Sequence, residues 1–279
     1  MKHYKKMVYP YVAWISVMVV APMLLIMFYA FSKDGNAVLD FVLTLDNFKK
    51  FFSDSVFIDV LWRSLKIAVV TTVICLLIGY PAGYFISKCA EGVKMRWILL
   101  ITFPTWINMM VRTYAWRGIL QNDGVINRFL GLFGLGPIPM LDTSFAVVLG
   151  MVYNFLPFMI IQIYTSLSKL DRSLLEAAAD LGANKTRSFL RITLPLSVPG
   201  ILSGITLVFL PAVSSFYIPE MLGGGRYYMI GNLIETQFLT TENWNFGSAV
   251  SLIMVIIIIV SMYFTRKADK TEIMDQRGN

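Results

Sequence analysis

The sequence predicts an all-α, polytopic membrane protein with six transmembrane helices. Of its 279 residues, 57% are hydrophobic and only 15% charged, against about 45–50% and about 25% in a soluble globular domain. Its apolar residues fall in long runs, and a run of about 20 crosses the ~30 Å hydrocarbon core as a helix. The charged residues gather between those runs. A net charge of +7 can mark a nucleic-acid partner, but here its distribution is that of a chain oriented in a membrane.

The first span runs from Met7 to Ser32, carries no charge and holds Pro10 and Pro22. Lys2, Lys5 and Lys6 precede it, as in a signal peptide. Its apolar stretch exceeds the roughly 7–15 residues of such a peptide and no small-residue cleavage site follows, so a retained helix is expected. Ile67 to Ser87 is the second span, and Trp97 to Trp116 the third, interrupted only by Arg112. Thr143 to Ser168, with Pro157, is the fourth, Ile192 to Pro219 the fifth, and Asn243 to Thr265 the sixth. Membrane helices tolerate such prolines because neighbours re-satisfy the freed backbone groups. The chain then divides into an N-terminal helix and outer loop (1–60), a core of five spans (61–265) and a polar tail (266–279).

Six spans put both termini on one side. That side carries 15 of the 24 lysines and arginines and the opposite side 8, with Arg112 inside a span. The positive-inside rule therefore places both termini in the cytoplasm. The outer loops hold ten acids, among them Asp34, Asp40, Asp46, Glu220 and Glu235. Their slight negative excess favours a cationic solute or a basic docking surface, or is simply that of solvated loops.

Neither a metal centre nor an ATP-hydrolysing site is expected. Cys75 and Cys89 lie 14 residues apart, about 21 Å along one helix, and His3 is the only histidine, which argues against zinc. There is no G-x-x-x-x-G-K-[ST] phosphate loop. Gly182-Ala183-Asn184-Lys185-Thr186 comes nearest and lacks the glycine before lysine. No cofactor is implied.

The most informative stretch is the long cytoplasmic loop from Lys169 to Gly200, which reads as helix, turn, helix. Asp171 or Ser173 can cap the first helix, and Leu174, Leu175, Ala178 and Leu181 give it an apolar face at helical spacing. Gly182 suits the left-handed residue that ends a helix. Asn184 can cap a second helix through Arg191, and Pro195 and Pro199 mark the start of the fifth span.

Glu176-Ala177-Ala178, Gly182, Ile192, Leu194 and Pro195 match, position by position, the E-A-A, three residues, G, nine residues, I-x-L-P pattern of the permease subunits of ABC importers. The chain resembles that family over residues 8–265, which implies the type I (MetI-like) permease fold. It further implies that these seven residues form the coupling element seated on a separate ATPase subunit. Small Ala177 and Ala178 allow close seating, Gly182 a sharp reversal, and Glu176 a hydrogen bond or ion pair. Within the family, Thr44-Leu45-Asp46-Asn47-Phe48, Pro104-Thr105-Trp106, Pro219 to Gly224, Ile230-Gly231-Asn232 and Gln237-Phe238 are similar to spermidine/putrescine permeases of the B-subunit type. The resemblance implies a second permease, two ATPase subunits, an external solute-binding protein and a polyamine substrate.

A polyamine path needs carboxylates for ammonium groups and ring faces for cation–π contacts, worth about 0.5–2 kcal/mol each. Candidates are Trp106, Tyr114 and Trp116 on the third span, Tyr153 on the fourth, and Tyr217 with Glu220 at the outer end of the fifth. Trp and Tyr also serve as plain interface anchors. Arg112 lies toward the outer edge of its span, where it can snorkel, pair with an acid such as Asp123, or act as a gate. Asn108, Asn154 and Gln162 are polar groups inside spans, expected to bond across helices more than to bind solute. The alternatives are a permease for iron, sulfate or an organic anion, and a non-transporting membrane scaffold that only recruits a partner.

Overall fold

The computed structural model describes residues 2–33 and 42–278, so Asp34 and Asp40 lie outside the described residues. The chain opens with α1 (Lys2–Ile15), a π-helical turn (Ser16–Val20) and α2 (Ala21–Ala30). After α3 (Asp46–Ser53) comes α4 (Ser55–Lys88), started by Asp54, whose carboxylate accepts from Val56 N at 2.9 Å. Next are α5 (Glu91–Thr102), a 3₁₀ turn (Phe103–Trp106), α6 (Met109–Leu120), α7 (Val125–Gly131) and α8 (Ser144–Ser168). The long loop holds α9 (Arg172–Asp180) and α10 (Lys185–Ser188), and a π-helical turn (Phe189–Thr193) leads into α11 (Leu194–Ser214). Short α12 (Tyr217–Gly223) and α13 (Ile230–Leu239) precede α14 (Trp244–Gly278), which runs on through the polar segment after residue 265.

Five of the described helices are long and apolar enough to cross a membrane: Val8–Ala30, Ser55–Lys88, Ser144–Ser168, Lys185–Ser214 and Trp244–Tyr263. The third expected span, Trp97–Trp116, is not one helix but two, α5 and α6, joined by the 3₁₀ turn. Pro104 removes an N–H there, and the chain turns extended at Ile107. Asn108 then leaves helical geometry and caps α6, its side chain accepting from Met110 N at 2.7 Å.

The fifth span also differs from expectation at both ends. Its start is continuous with α10 through the π-helical turn, where an independent helix ending at Arg191 is expected. Pro195 has no N–H to offer the Arg191 carbonyl, and the wider turn accommodates that gap. Its C-terminal end stops at Ser214, and Tyr217 and Glu220 belong to the separate α12. The ring of Pro219 clashes with a helical carbonyl four residues back, which is that of Ser215, where the chain turns extended.

The core is built where α4, α8 and α11 pack on one another, with α14 against α2, α11 and α13. Met151, Met159, Ile163, Val208, Leu222 and Phe246 are completely enclosed or nearly so. α8 and α11 approach closely at Gly200, where a β-carbon would collide with Ser166 and with the Gln162 carbonyl. Small residues drive helix association in membranes in this way, by letting backbones meet. The first span is exposed along nearly its whole length. Two amides hold its C-terminal end: Asn47 Nδ2 donates to Ala30 O (3.3 Å) and Ser32 O (2.9 Å), and Asn245 Nδ2 to Tyr29 O (3.3 Å) and Ser32 O (3.1 Å).

Candidate functional site

Two regions bear the candidate residues. The first is the loop around α9. Asp171 starts that helix by accepting from Ser173 N at 3.0 Å, and this contact holds its carboxyl below the usual carboxylate range. Ala183 N donates to Ala178 O and Gly182 N to Ala179 O, both at 2.9 Å. These are the two bonds of a Schellman stop, and Gly182 takes the left-handed backbone it requires, φ +77°. Asn184 caps the next turn through Arg187 N at 2.8 Å.

The expected apolar face of α9 is split. Leu175 and Ala178 are half-buried, whereas Leu174 is exposed and Leu181 is 89% exposed. Glu176 and Ala177 also face outward, and Ile192, Leu194 and Pro195 are half-buried where the loop joins α11. The loop thus presents a carboxylate, small side chains and two uncovered leucines beyond the bundle. Covering one such leucine stabilises a complex by about 1.5–3 kcal/mol.

The second region is the far end of the bundle. Ser64 Oγ accepts from Ile230 N at 2.8 Å, fixing the start of α13 to α4. Asn232 Nδ2 donates to Phe216 O at 2.8 Å, fixing α13 to the start of α12. A cavity of about 260 Å³ between α12 and α13 is lined by Glu220, Tyr227, Tyr228, Asn232, Glu235 and Thr236. Tyr228 donates to Asn232 O at 3.0 Å, and its oxygen lies 2.6 Å from Thr236 Oγ1. Burial, and then the nearby Glu220 charge, push the Glu235 carboxyl up from its ordinary value.

Tyr217 lies within electrostatic reach of Tyr114, Glu220 and Arg117, so three of the six sequence-derived path residues share one neighbourhood. Tyr153, on α8, packs on α6 through other residues. Its ring meets that of Trp116 edge-on at 5.4 Å, and the Arg112 guanidinium lies 5.9 Å from its centroid. Trp106 stands on the 3₁₀ turn, 74% exposed, with its ring against Phe103. Arg112 donates through Nε to Ile107 O at 3.1 Å, and among the described residues it has no ion pair with Asp123 or any other acid. Asn108 and Asn154 bond within their own helices, not across them.

Sequence reasoning did not single out Glu235 or Tyr228 as site residues. The one available signal was spacing. Glu220 and Glu235 are the only carboxylates between the fifth-span start at Ile192 and Glu242, and the tight turn after α12 folds one back toward the other.

The model of one family, described as the inner membrane component of binding-protein-dependent transport systems, matches residues 4–270. The spermidine/putrescine transport system permease protein PotB of Haemophilus influenzae is 38% identical over 261 residues, 92% of this chain and 91% of that protein. The PotB of Escherichia coli is 39% identical over 255 residues, 90% and 92% respectively. A crystal structure of a bacterial alginate ABC transporter, in complex with a periplasmic protein bound to an alginate pentasaccharide, contains a chain that superposes with a TM-score of 0.74. That match covers 94% of this chain and 92% of the other at 19% identity, a likeness of fold.

Proposed function

The chain belongs to the inner membrane components of binding-protein-dependent transport systems, and from that premise we propose that it forms half of a polyamine translocation path driven by a separate ATPase. It is a transport subunit of the inner membrane with the ABC-permease fold, not an enzyme. Its partners are two ATPase subunits, a second permease and an external solute-binding protein. Both termini lie in the cytoplasm, so that the α9 loop meets the ATPase and the α12–α13 cavity opens outward. The core is residues 61–265, with 1–60 as a peripheral helix and loop and 266–279 as a cytoplasmic tail.

The observation that carries the substrate is the pair of carboxylates, Glu220 and Glu235, lining one cavity beside Tyr227 and Tyr228. Spermidine and putrescine carry ammonium groups on flexible methylene chains. Carboxylates neutralise the former, and aromatic faces attract the cation. Two like charges in one site also repel an anion, which weighs against sulfate or an organic acid as cargo. Tyr114, Tyr217 and Glu220 form the outer mouth, with Trp106 and Tyr153 further along the route.

On the other side, Glu176, Ala177, Ala178 and Gly182 make the coupling wedge, and Ile192, Leu194 and Pro195 join it to α11. Closure of the ATPase pair pushes on α9 and switches the bundle between outward and inward openings. Uptake of labelled spermidine and putrescine, in a strain lacking this chain and then complemented with it, tests the reading. Restored uptake that is lost with Glu220→Gln supports it; complementation that restores transport of an anion alone refutes the substrate.

A further inference from the structure

The end of the bundle next to α9 holds two adjoining cavities, of about 530 and 420 Å³, that share Gln162 and Ser203. One is walled by α8, α11 and Lys169, Leu170, Asp171 and Leu174 of the coupling loop. The other continues along α11 to Thr206 and reaches Thr265 on α14. Gln162 lies six residues inside the α9 end of α8, Ser203 nine and Thr206 twelve residues inside that end of α11, or about 9, 14 and 18 Å at 1.5 Å per residue. All three therefore fall within the depth of a ~30 Å hydrocarbon layer.

Polar side chains at that depth need partners, because acyl chains offer none. Among the described residues, no hydrogen bond engages the Gln162 or Ser203 side chain. The threonines have spent their donors: Thr165 Oγ1 donates to Ile161 O (2.7 Å), Thr206 Oγ1 to Leu202 O (2.9 Å) and Thr265 Oγ1 to Ser261 O (2.7 Å). Each hydroxyl proton is turned back onto its own helix, which leaves oxygen lone pairs as what the side chain can still offer. An ammonium group is the converse, three donors and no acceptor. The lining has no fixed charge deeper than Lys169 and Asp171 at its rim.

We propose that these two cavities are the inner stretch of the translocation path, a wet, uncharged groove in which Gln162, Ser203 and Thr206 offer oxygen ligands to passing ammonium groups, with the coupling loop as its exit wall. This rests on the permease reading above. The path then grades from paired carboxylates at the mouth to neutral oxygens within, so that a cation is drawn in strongly and held weakly where it must leave. Passage needs sites that bind well enough to admit the ion and weakly enough to release it. Because Asp171 and Leu174 belong to both the cavity wall and the start of α9, a push on α9 reshapes the exit directly.

The test uses the assembled transporter in inside-out vesicles, with Cys89→Ser as background and Ser203→Cys or Thr206→Cys introduced singly. The probe is a membrane-impermeant trimethylammonium methanethiosulfonate, and the reference is Val73→Cys on an exposed face of α4 away from both cavities. We expect both test positions to react at least about tenfold faster than the reference, as wet positions do beside lipid-facing ones, and spermidine to slow them. Equal reaction at Val73→Cys and Ser203→Cys, or fast reaction that spermidine leaves unchanged, overturns the proposal. Gln162→Leu supplies a second readout: uptake falls by up to about tenfold, the scale of one lost hydrogen bond, while the subunits still co-purify. Fast labelling that spermidine leaves unchanged but another transported solute slows overturns the ammonium groove and, with it, the choice of polyamine, while leaving the permease reading in place.

Discussion

The carboxylate of Glu220 on α12 and that of Glu235 on α13 line a single cavity, and the charge of the first adds to burial in raising the pKa of the second. Neither helix places the pair alone. Asn232 and Ser64 hold α13 to the start of α12 and to α4, and the chain reversal between the two helices does the rest.

A pH profile of uptake reads this pair. A carboxyl whose folded pKa is raised gains its proton at a higher pH than an ordinary glutamate. Uptake therefore begins to fall on the mildly acidic side, before free carboxylates titrate, and Glu235→Gln flattens that limb while lowering uptake at neutral pH. The same raised pKa is a stability cost above the ordinary glutamate range, absent below it. Glu235→Gln thus leaves thermal stability at pH 7.5 unchanged or higher, measured by a melting curve in detergent.

Gly182→Val tests the coupling wedge. Gly182 has open space around it, so the substitution meets no side chain, but it must hold φ +77°. A side chain in that region costs about 1–2 kcal/mol. The expected outcome is a normally inserted protein whose ATPase partners no longer respond to the loaded binding protein, seen as loss of stimulated ATP hydrolysis.

Leu181→Ser separates docking from folding. Leu181 is 89% exposed in the isolated chain, so the melting temperature stays put. Co-purification of the ATPase subunits weakens, by about 1.5–3 kcal/mol if the leucine is fully covered in the complex.

Gly200→Val tests the core. Its added atoms meet Ser166 and the backbone carbonyl of Gln162, and a backbone atom cannot rotate away. Overpacking of this kind costs about 1–3 kcal/mol, expected as a lower melting temperature and reduced uptake together.

Much of the fold was legible because lipid imposes long apolar runs, and five of the six expected spans each hold one helix long enough to cross a membrane. The α9 caps were legible too, since Asp171, Gly182 and Asn184 act through local geometry. What escaped were the breaks. Trp97–Trp116 reads as one apolar run, and hydropathy cannot register that Pro104 and Asn108 divide it. The Ser215 break was encoded in Pro219, four residues on, but was read as the end of a span. Glu235 escaped because its role depends on a neighbour 15 residues away brought close by tertiary contacts. The exposure of Leu181 was hidden for the opposite reason: helical periodicity groups it with Leu175 and Ala178, and only the structure shows that the bundle covers part of that face.

The fastening of the N-terminal helix has a mechanical corollary. Asn47 and Asn245 grip its C-terminal end through the carbonyls of Ala30, Tyr29 and Ser32, while Val8 to Val20 present their side chains outward on every side. A helix held along its second half, where α2 packs on α14, and uncovered before it can lean at the uncovered half to suit a thicker or thinner bilayer. The expected consequence is a transport rate that differs little between short-chain and long-chain lipids, a comparison that reconstituted vesicles allow.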